Sequence, residues 1–337
     1  MINTPFTRQL MLTTALLAGP LAAFAETLKI ATFAPEGSFW MTQMKEGASE
    51  IARRTDNRVQ FRFYGGGVMG NDNQVRRKMR IGQLHGSTFT SGALGDFASE
   101  AEIYALPLTF RSLDEVRYVR ARMDEKLRAA LEKAGMVNFG IAGAGQGYLM
   151  SNVPVATPQD MRGQKTWVQE GDRIAYSAFE ALGISPVAMP LTDVLTGLQT
   201  DLLDSAAVSP VGAIVFQLHT ALRYITDLPL SYVYGALLID QRAFGRLSAE
   251  DQAVVKEVME AIYRRIDEAS NQDHIEALAA LQEAGLKRVE PDADAVPEWR
   301  ARVAESNRAL ARSGEIPEAL LDELLGHLEA FRNSGAP

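Results

Sequence analysis

Apolar and polar positions along the chain change period several times, and each change marks an element. Leu28, Ile30 and Thr32 alternate with Thr27, Lys29 and Ala31, which predicts a strand over 27–33. Pro35-Glu36-Gly37 is a turn signal, and Ser38 stands where a helix cap belongs. Trp40, Met44, Gly47, Ala48 and Ile51 then recur at helical spacing, predicting an amphipathic helix over 38–54. Val59, Phe61 and Phe63 alternate with Gln60 and Arg62, a half-buried strand that Gly65-Gly66-Gly67 breaks. A helix over 73–81 and a strand over 86–90 follow. Strand, helix, strand, helix, strand in this order implies parallel pairing with helices on the faces. Leu113, Val116, Val119, Met123, Leu127 and Leu131 form a further helical stripe, and 137–142 reads as a strand.

A second unit begins near Ser151, after which Val153-Pro154 and Thr157-Pro158 act as punctuation. It alternates again: strands over 164–168, 186–189 and 206–208, helices over 173–182, from a cap at Thr192 to Thr200, and over 211–219. A strand over 230–239 returns to the first unit. Ser248-Ala249-Glu250-Asp251 resembles a capping box and opens a helical pattern through Val254, Val258, Ile262, Ile266, Ala269 and Leu281, which Gly285 ends. That run of about 36 residues spans about 54 Å. No single small domain needs such a helix, so it is expected to lie across both. Helices over 298–312 and 317–331 close the chain. The expected organisation is an α/β fold of two domains. Domain I is 26–148 with 236–260, domain II is 149–235, the domain-spanning helix is 249–284, and 285–337 supplies C-terminal helices. Crossings near 144–151 and 230–239 would act as a hinge.

Composition narrows the chemistry. The 337 residues carry 34 Lys plus Arg against 42 Asp plus Glu, a net charge of -8, and no cysteine. A disulfide framework and thiolate zinc sites are thereby excluded. The acidic balance argues against nucleic acid as a partner. At the N-terminus, Arg8, an uncharged Leu- and Ala-rich run over 10–23, and Ala23-Phe24-Ala25 match a signal peptide over 1–25, with cleavage before Glu26. The run falls short of the ~20 residues a membrane span requires, and nothing later is apolar enough, so the mature chain is not expected to be membrane-embedded.

Gly65-Gly66-Gly67-Val68-Met69-Gly70 satisfies G-x-G-x-x-G between a strand and a helix. The ribose-binding acid expected about 20 residues on is missing at Phe89-Thr90, and export removes the chain from the nicotinamide pool. The turn reads instead as the lining of a cleft. His85, His219, His274 and His327 show no metal-ligand spacing, and there is no G-x-S-x-G elbow. No catalytic residue, metal or cofactor is therefore assigned. Glu170-Gly171-Asp172 follows a strand and precedes a helix, which is the carboxyl edge of a sheet, where ligands bind in open α/β folds. Phe39, Trp40, Tyr148 and Trp167 lie at element junctions and would suit a semi-apolar pocket. An exported α/β hydrolase using Glu36, Glu170 or Asp172 is the competing class, and it lacks a nucleophile motif.

Several stretches, in order, resemble the solute-binding proteins of tripartite ATP-independent periplasmic (TRAP) transporters, of the dicarboxylate-binding-protein type. Phe61-Arg62-Phe63-Tyr64 through Gly70-Asn71-Asp72 is similar to that family's strand, glycine turn and helix start. Ile81-Gly82-Gln83-Leu84-His85, Tyr104-Ala105-Leu106-Pro107-Leu108-Thr109-Phe110 and Asp160-Met161-Arg162-Gly163-Gln164-Lys165 match three further motifs. Leu198-Gln199-Thr200 through Leu203-Asp204 matches another, with Leu202 and Ser205 in place of two glycines. The resemblance implies a two-domain periplasmic solute-binding fold with hinge strands and a long helix across both domains. It also implies capture of a small organic solute, usually a carboxylate, and delivery to the transporter's membrane subunits without chemistry. A solute-binding protein serving a sensor remains an alternative.

The resemblance implies an arginine clamp on the solute carboxylate, a bidentate contact. Here Trp167 stands at that position, Gly147 at a second arginine position, Ser209 where an asparagine is frequent, and Glu170 at a place often neutral. The expected ligand-binding set is Phe33, Glu36, Phe39, Trp40, Thr88, Thr90, Tyr148, Trp167, Glu170, Ser209 and Tyr234. Trp167 and Glu170 are expected to turn ligand choice toward a neutral polar solute or one bearing an ammonium group. If Lys165 or Arg173 swings in instead, the ligand stays an organic acid.

Overall fold

The computed structural model describes residues 25–335, so the expected leader lies outside the described residues except for Ala25. The first lobe begins with β1 (Glu26–Ala31), α1 (Phe39–Arg54), β2 (Val59–Tyr64), α2 (Asp72–Arg80), β3 (Gly86–Thr90) and the single turn α3 (Ser91–Leu94). Local chemistry sets these boundaries. Ser38 caps α1 by accepting from the Met41 amide, and Asn71 and Gln74 form a reciprocal capping box on α2. β1 pairs in parallel with β2 on one side and β3 on the other, as the alternation of elements requires. Then come α4 (Leu113–Lys133), β4 (Met136–Asn138) and β5 (Ala142–Ser151).

The second lobe contains β6 (Thr166–Gln169), α5 (Arg173–Ala181), β7 (Val187–Met189), α6 (Val194–Gln199), β8 (Ser205–Val208), α7 (Pro210–Val215) and β9 (Tyr224–Thr226). The chain returns on β10 (Ser231–Asp240), followed by α8 (Gln241–Phe244), α9 (Ala249–Glu283), β11 (Lys287–Val289), α10 (Val296–Arg312) and α11 (Glu318–Asn333). The main strand order is β2-β1-β3-β10-β5-β8-β6-β7. β10 runs antiparallel to β3 in the first lobe, β5 runs antiparallel to β8 in the second, and β5 and β10 pair with each other. These two strands are the hinge.

Sequence and structure part company in several places. The strand expected over 137–142 is two strands, β4 and the longer β5. β5 reads Ala-Gly-Ala-Gly-Gln-Gly-Tyr-Leu-Met-Ser, which shows no alternation because it is buried on both faces. Its glycines admit neighbours: a Cβ on Gly145, whose φ is +85°, would collide with the His274 ring of α9. Thr192 does not cap a helix but donates to the adjacent Asp193 carboxylate, in a short 3-10 turn that precedes α6. The helix expected over 211–219 breaks at Gln217, whose φ of +58° is left-handed. β9 and β11 pair in parallel and are too short to show a period.

The 35 residues of α9 span about 52 Å. Ser248 caps it by accepting from the Asp251 amide at 3.1 Å. Its N-terminal half places Val255, Met259, Ile262 and Ile266 in one core with Leu28, Ile30 and Met44 of the first lobe. Its C-terminal end places Leu281 in another core, with Val194, Leu198 and Ala206 of the second lobe. Between them, 267–274 reads Asp-Glu-Ala-Ser-Asn-Gln-Asp-His, a polar interval. Buried Arg120 of α4 ties this region together: it donates to Asp267 at 2.6 Å, Asp124 at 2.9 Å, the Tyr232 hydroxyl at 2.9 Å and the Ile141 carbonyl at 2.7 Å. Among the described residues no helix is long and apolar enough to cross a membrane.

Candidate functional site between the lobes

A cavity of about 270 Å³ lies between the lobes. Parallel strands present their carboxyl ends to a common edge, so the ends of β1 and β3 form one wall, with Thr32, Phe33, Thr88 and Thr90. The start of α1 adds Phe39 and Trp40, and the Trp40 ring packs edge-on against Tyr263 at 6.1 Å. The opposite wall is β6 with Trp167 and Gln169, the first turns of α5 with Asp172 and Phe179, and the start of α7 with Ser209 and Val211. The hinge supplies Ser231, Val233 and Tyr234, and the polar interval of α9 supplies Asp273.

Of the residues expected from sequence, Phe33, Phe39, Trp40, Thr88, Thr90, Trp167, Ser209 and Tyr234 line this cavity. Glu36, Tyr148 and Glu170 are not among its lining residues. Glu36 is paired with Lys45 on the exposed start of α1. Tyr148 stacks on His274, ring centroids 5.8 Å apart, behind the hinge. Glu170 sits at the exposed rim, where it accepts from the Asn71 side-chain amide at 3.2 Å. Sequence reasoning did not find Asp273, because a polar residue in a long helix ordinarily faces water, nor Gln169. Asp172 drew notice only through its place between strand and helix.

Most polar groups on the walls already have partners. Thr88 donates to the Thr32 hydroxyl at 2.6 Å, and Tyr234 donates to the Ala101 carbonyl at 2.5 Å, outside the cavity lining. Trp167 donates its indole N–H to the Met189 carbonyl at 2.8 Å, so it offers the cavity only its ring. Ser209 caps α7, accepting from the Gly212 amide at 3.1 Å, and Asp172 caps α5, accepting from the Ala175 amide at 2.9 Å. Burial nevertheless pushes the Asp172 carboxyl above its ordinary range, against those backbone N–H groups. No Lys, Arg or His is among the lining residues. Lys165 is turned to the Asp201 carbonyl, and Arg173 is paired with Glu315 at 2.6 Å on the surface.

The two walls also hold each other. Thr90 donates to the Gln169 side-chain carbonyl at 3.0 Å, and the Gln169 amide donates to Asp72 at 2.8 Å. Burial raises Asp72 to about 6 despite that hydrogen bond, with Glu170 and Asp96 adding repulsion. Burial raises Glu102 to about 8, with Asp172 from the other lobe adding repulsion.

The chain matches the family described as bacterial extracellular solute-binding protein, family 7, over residues 30–313. The uncharacterized protein YiiZ of Salmonella typhimurium is 23% identical over 63% of this chain, which spans 65% of that relative's length. The ectoine-binding periplasmic protein TeaA of Halomonas elongata is 22% identical over 96% of this chain and 97% of its own. In three dimensions the chain is similar to a TRAP periplasmic solute binding protein from Xanthobacter autotrophicus with bound β-D-galacturonate, at a TM-score of 0.81, 19% identity, and coverage of 90% of this chain and 99% of that one. With two lobes, paired hinge strands and a helix across both, this chain belongs to the bacterial extracellular solute-binding proteins of family 7.

Proposed function

We propose that this protein is a periplasmic receptor that captures a small organic solute between its lobes and delivers it to the membrane subunits of a TRAP transporter. The observation that carries the reading is the cavity itself. It is walled by both lobes, and the lobes are joined through two adjacent strands, β5 and β10. Such a site opens and closes by bending the hinge, with 149–235 moving against 26–148 and 236–260. TeaA and the Xanthobacter protein, each with a solute in its name, support capture as the activity. Chemistry on the solute is not part of this reading. The cavity hydroxyls of Thr88 and Tyr234 donate to other protein oxygens, and no histidine stands beside them as a base.

A thermal-shift screen of organic acids, polyols and amines tests the proposal. A solute at 100 times its Kd adds about 2.7 kcal/mol of stability. X-ray scattering with that solute should show compaction. A screen in which no solute stabilises the protein, with scattering unchanged throughout, would overturn it. Delivery is tested separately, by reconstituting uptake with TRAP transporter membrane subunits from the same organism.

A further inference from the structure

Within that receptor reading, we infer that the solute is a mainly apolar molecule whose polar end is an ammonium group, and that Asp273 is the residue that selects it. A carboxylate entering this cavity would leave water and meet no cationic side chain, because the lining holds no Lys, Arg or His. An ion buried without a partner costs several kcal/mol. A sugar or polyol fares little better. It needs a donor or acceptor for each hydroxyl, but Thr88, Thr90, Tyr234 and the Trp167 indole donate to protein partners. That leaves the Ser91 and Ser231 hydroxyls without a partner among the described residues, too few for a sugar's ring of hydroxyls.

What remains unspent is aromatic surface, the two hydroxyls of Ser91 and Ser231, and one carboxylate. Phe33, Phe39, Trp40, Trp167, Phe179 and Phe216 turn ring surface to the space. Ring faces attract a cation and welcome an apolar body. The Asp273 carboxylate has no hydrogen bond or ion pair with any described residue, although it lines the cavity. Burial, with the Glu276 charge adding to it, holds its carboxyl above the ordinary range, which an ammonium partner would reverse. Asp172, the other carboxylate on the wall, is engaged by the first turn of α5 and adds only its charge. Volume limits the size. At about 30 Å³ per water, 270 Å³ holds about nine waters, the scale of a single ring with a short arm.

Three probes of one shape decide the matter: 3-phenylpropylamine, 3-phenylpropan-1-ol and 3-phenylpropionate, titrated calorimetrically into the mature protein. The amine should bind at least tenfold more tightly than the alcohol, and the carboxylate more weakly than either. In Asp273→Asn the amine should lose about tenfold, equivalent to about 1.4 kcal/mol, while the alcohol is unchanged. Equal or tighter binding of the alcohol or carboxylate to the unaltered protein overturns the inference, as does an Asp273→Asn protein that keeps its amine affinity. Binding of succinate or galacturonate with none of the amine also overturns it, and leaves the receptor reading standing. Failure of every solute to bind removes both.

Discussion

Thr90 and Gln169 face each other across the cleft, hydroxyl to side-chain carbonyl at 3.0 Å. Because Gln169 also donates to Asp72 at 2.8 Å, one side chain of the second lobe is held twice by the first. Replacing it by alanine removes both hydrogen bonds, worth about 0.5–1.5 kcal/mol each. Gln169→Ala should therefore release bound solute about 5- to 160-fold faster, with little change in the melting temperature of the empty protein. Stopped-flow fluorescence of Trp40 and Trp167 would read the rate. An unchanged rate would remove Gln169 from any role in closure.

Gly67 sets how near the lobes come. Its φ is +72°, and a Cβ there would lie 2.5 Å from the Thr192 methyl of the opposite lobe. Gly67→Ala should hold the cleft partly open and weaken solute binding by about tenfold, roughly 1.4 kcal/mol. Adding Thr192→Ala, which deletes the opposing methyl, should recover part of the loss. No recovery in the double variant would place the fault in the backbone of the turn rather than in closure.

The acid pair Asp72 and Glu102 gives an unusual pH profile. Their carboxyls stand at about 6 and about 8 in the folded protein, above the ordinary carboxylate range. A raised carboxyl binds its proton more tightly when folded, so its contribution is complete below the unfolded pKa. It is lost as pH rises through 6 for Asp72 and through 8 for Glu102. Thermal stability should fall from pH 5 to pH 9, by an amount on the order of 5 kcal/mol, most of it from Glu102. Glu102→Gln should flatten the upper part of the curve. A profile flat across that interval would contradict the burial assigned to both groups.

Arg120 joins four hydrogen-bond partners, Asp267, Asp124, Tyr232 and the Ile141 carbonyl. Its truncation removes the cation shared by Asp267 and Asp124 and the donor to the Ile141 carbonyl, leaving Asp267 with the Gly143 amide alone. Arg120→Ala should destabilise the fold by about 3–5 kcal/mol, measured by urea unfolding. Arg120→Lys should recover only part, since an ammonium does not reproduce the guanidinium fork. A loss below 1 kcal/mol would show that the cluster is already solvated.

What the sequence made legible followed from how many faces each element buries. β2 was plain because Val59, Phe61 and Phe63 point one way and Gln60 and Arg62 the other. β5 was hidden because both its faces are covered, and its glycines are dictated by neighbours remote in sequence. The same contrast holds in the cleft. Phe33, Thr88 and Thr90 follow from a general rule about parallel-strand ends. Asp273 owes its place to packing of α9 against β5 and α7, which no local pattern records. Glu170 seemed well placed by the same strand-end rule, but it falls in the turn beyond β6 at the exposed rim, while Gln169, the last residue of that strand, lines the cavity.

The polar interval in α9 gives that helix a mechanical character. Its two ends are clamped by apolar cores in different lobes, while 267–274 between them carries Ser270, Asn271, Asp273 and His274, all weaker helix formers than alanine. A rod clamped at both ends, with its weakest helix formers between the clamps, has the layout of a leaf spring. If the proposed hinge bends, it should load this helix, and recoil should return the lobes toward their separation. Asp273 lies in that interval and lines the cavity, so a solute docked beside its carboxylate would bear on the helix between its clamps. Stiffening that interval, by Ser270→Ala with Asn271→Ala, should therefore alter how fast the lobes cycle while leaving the walls of the cavity untouched.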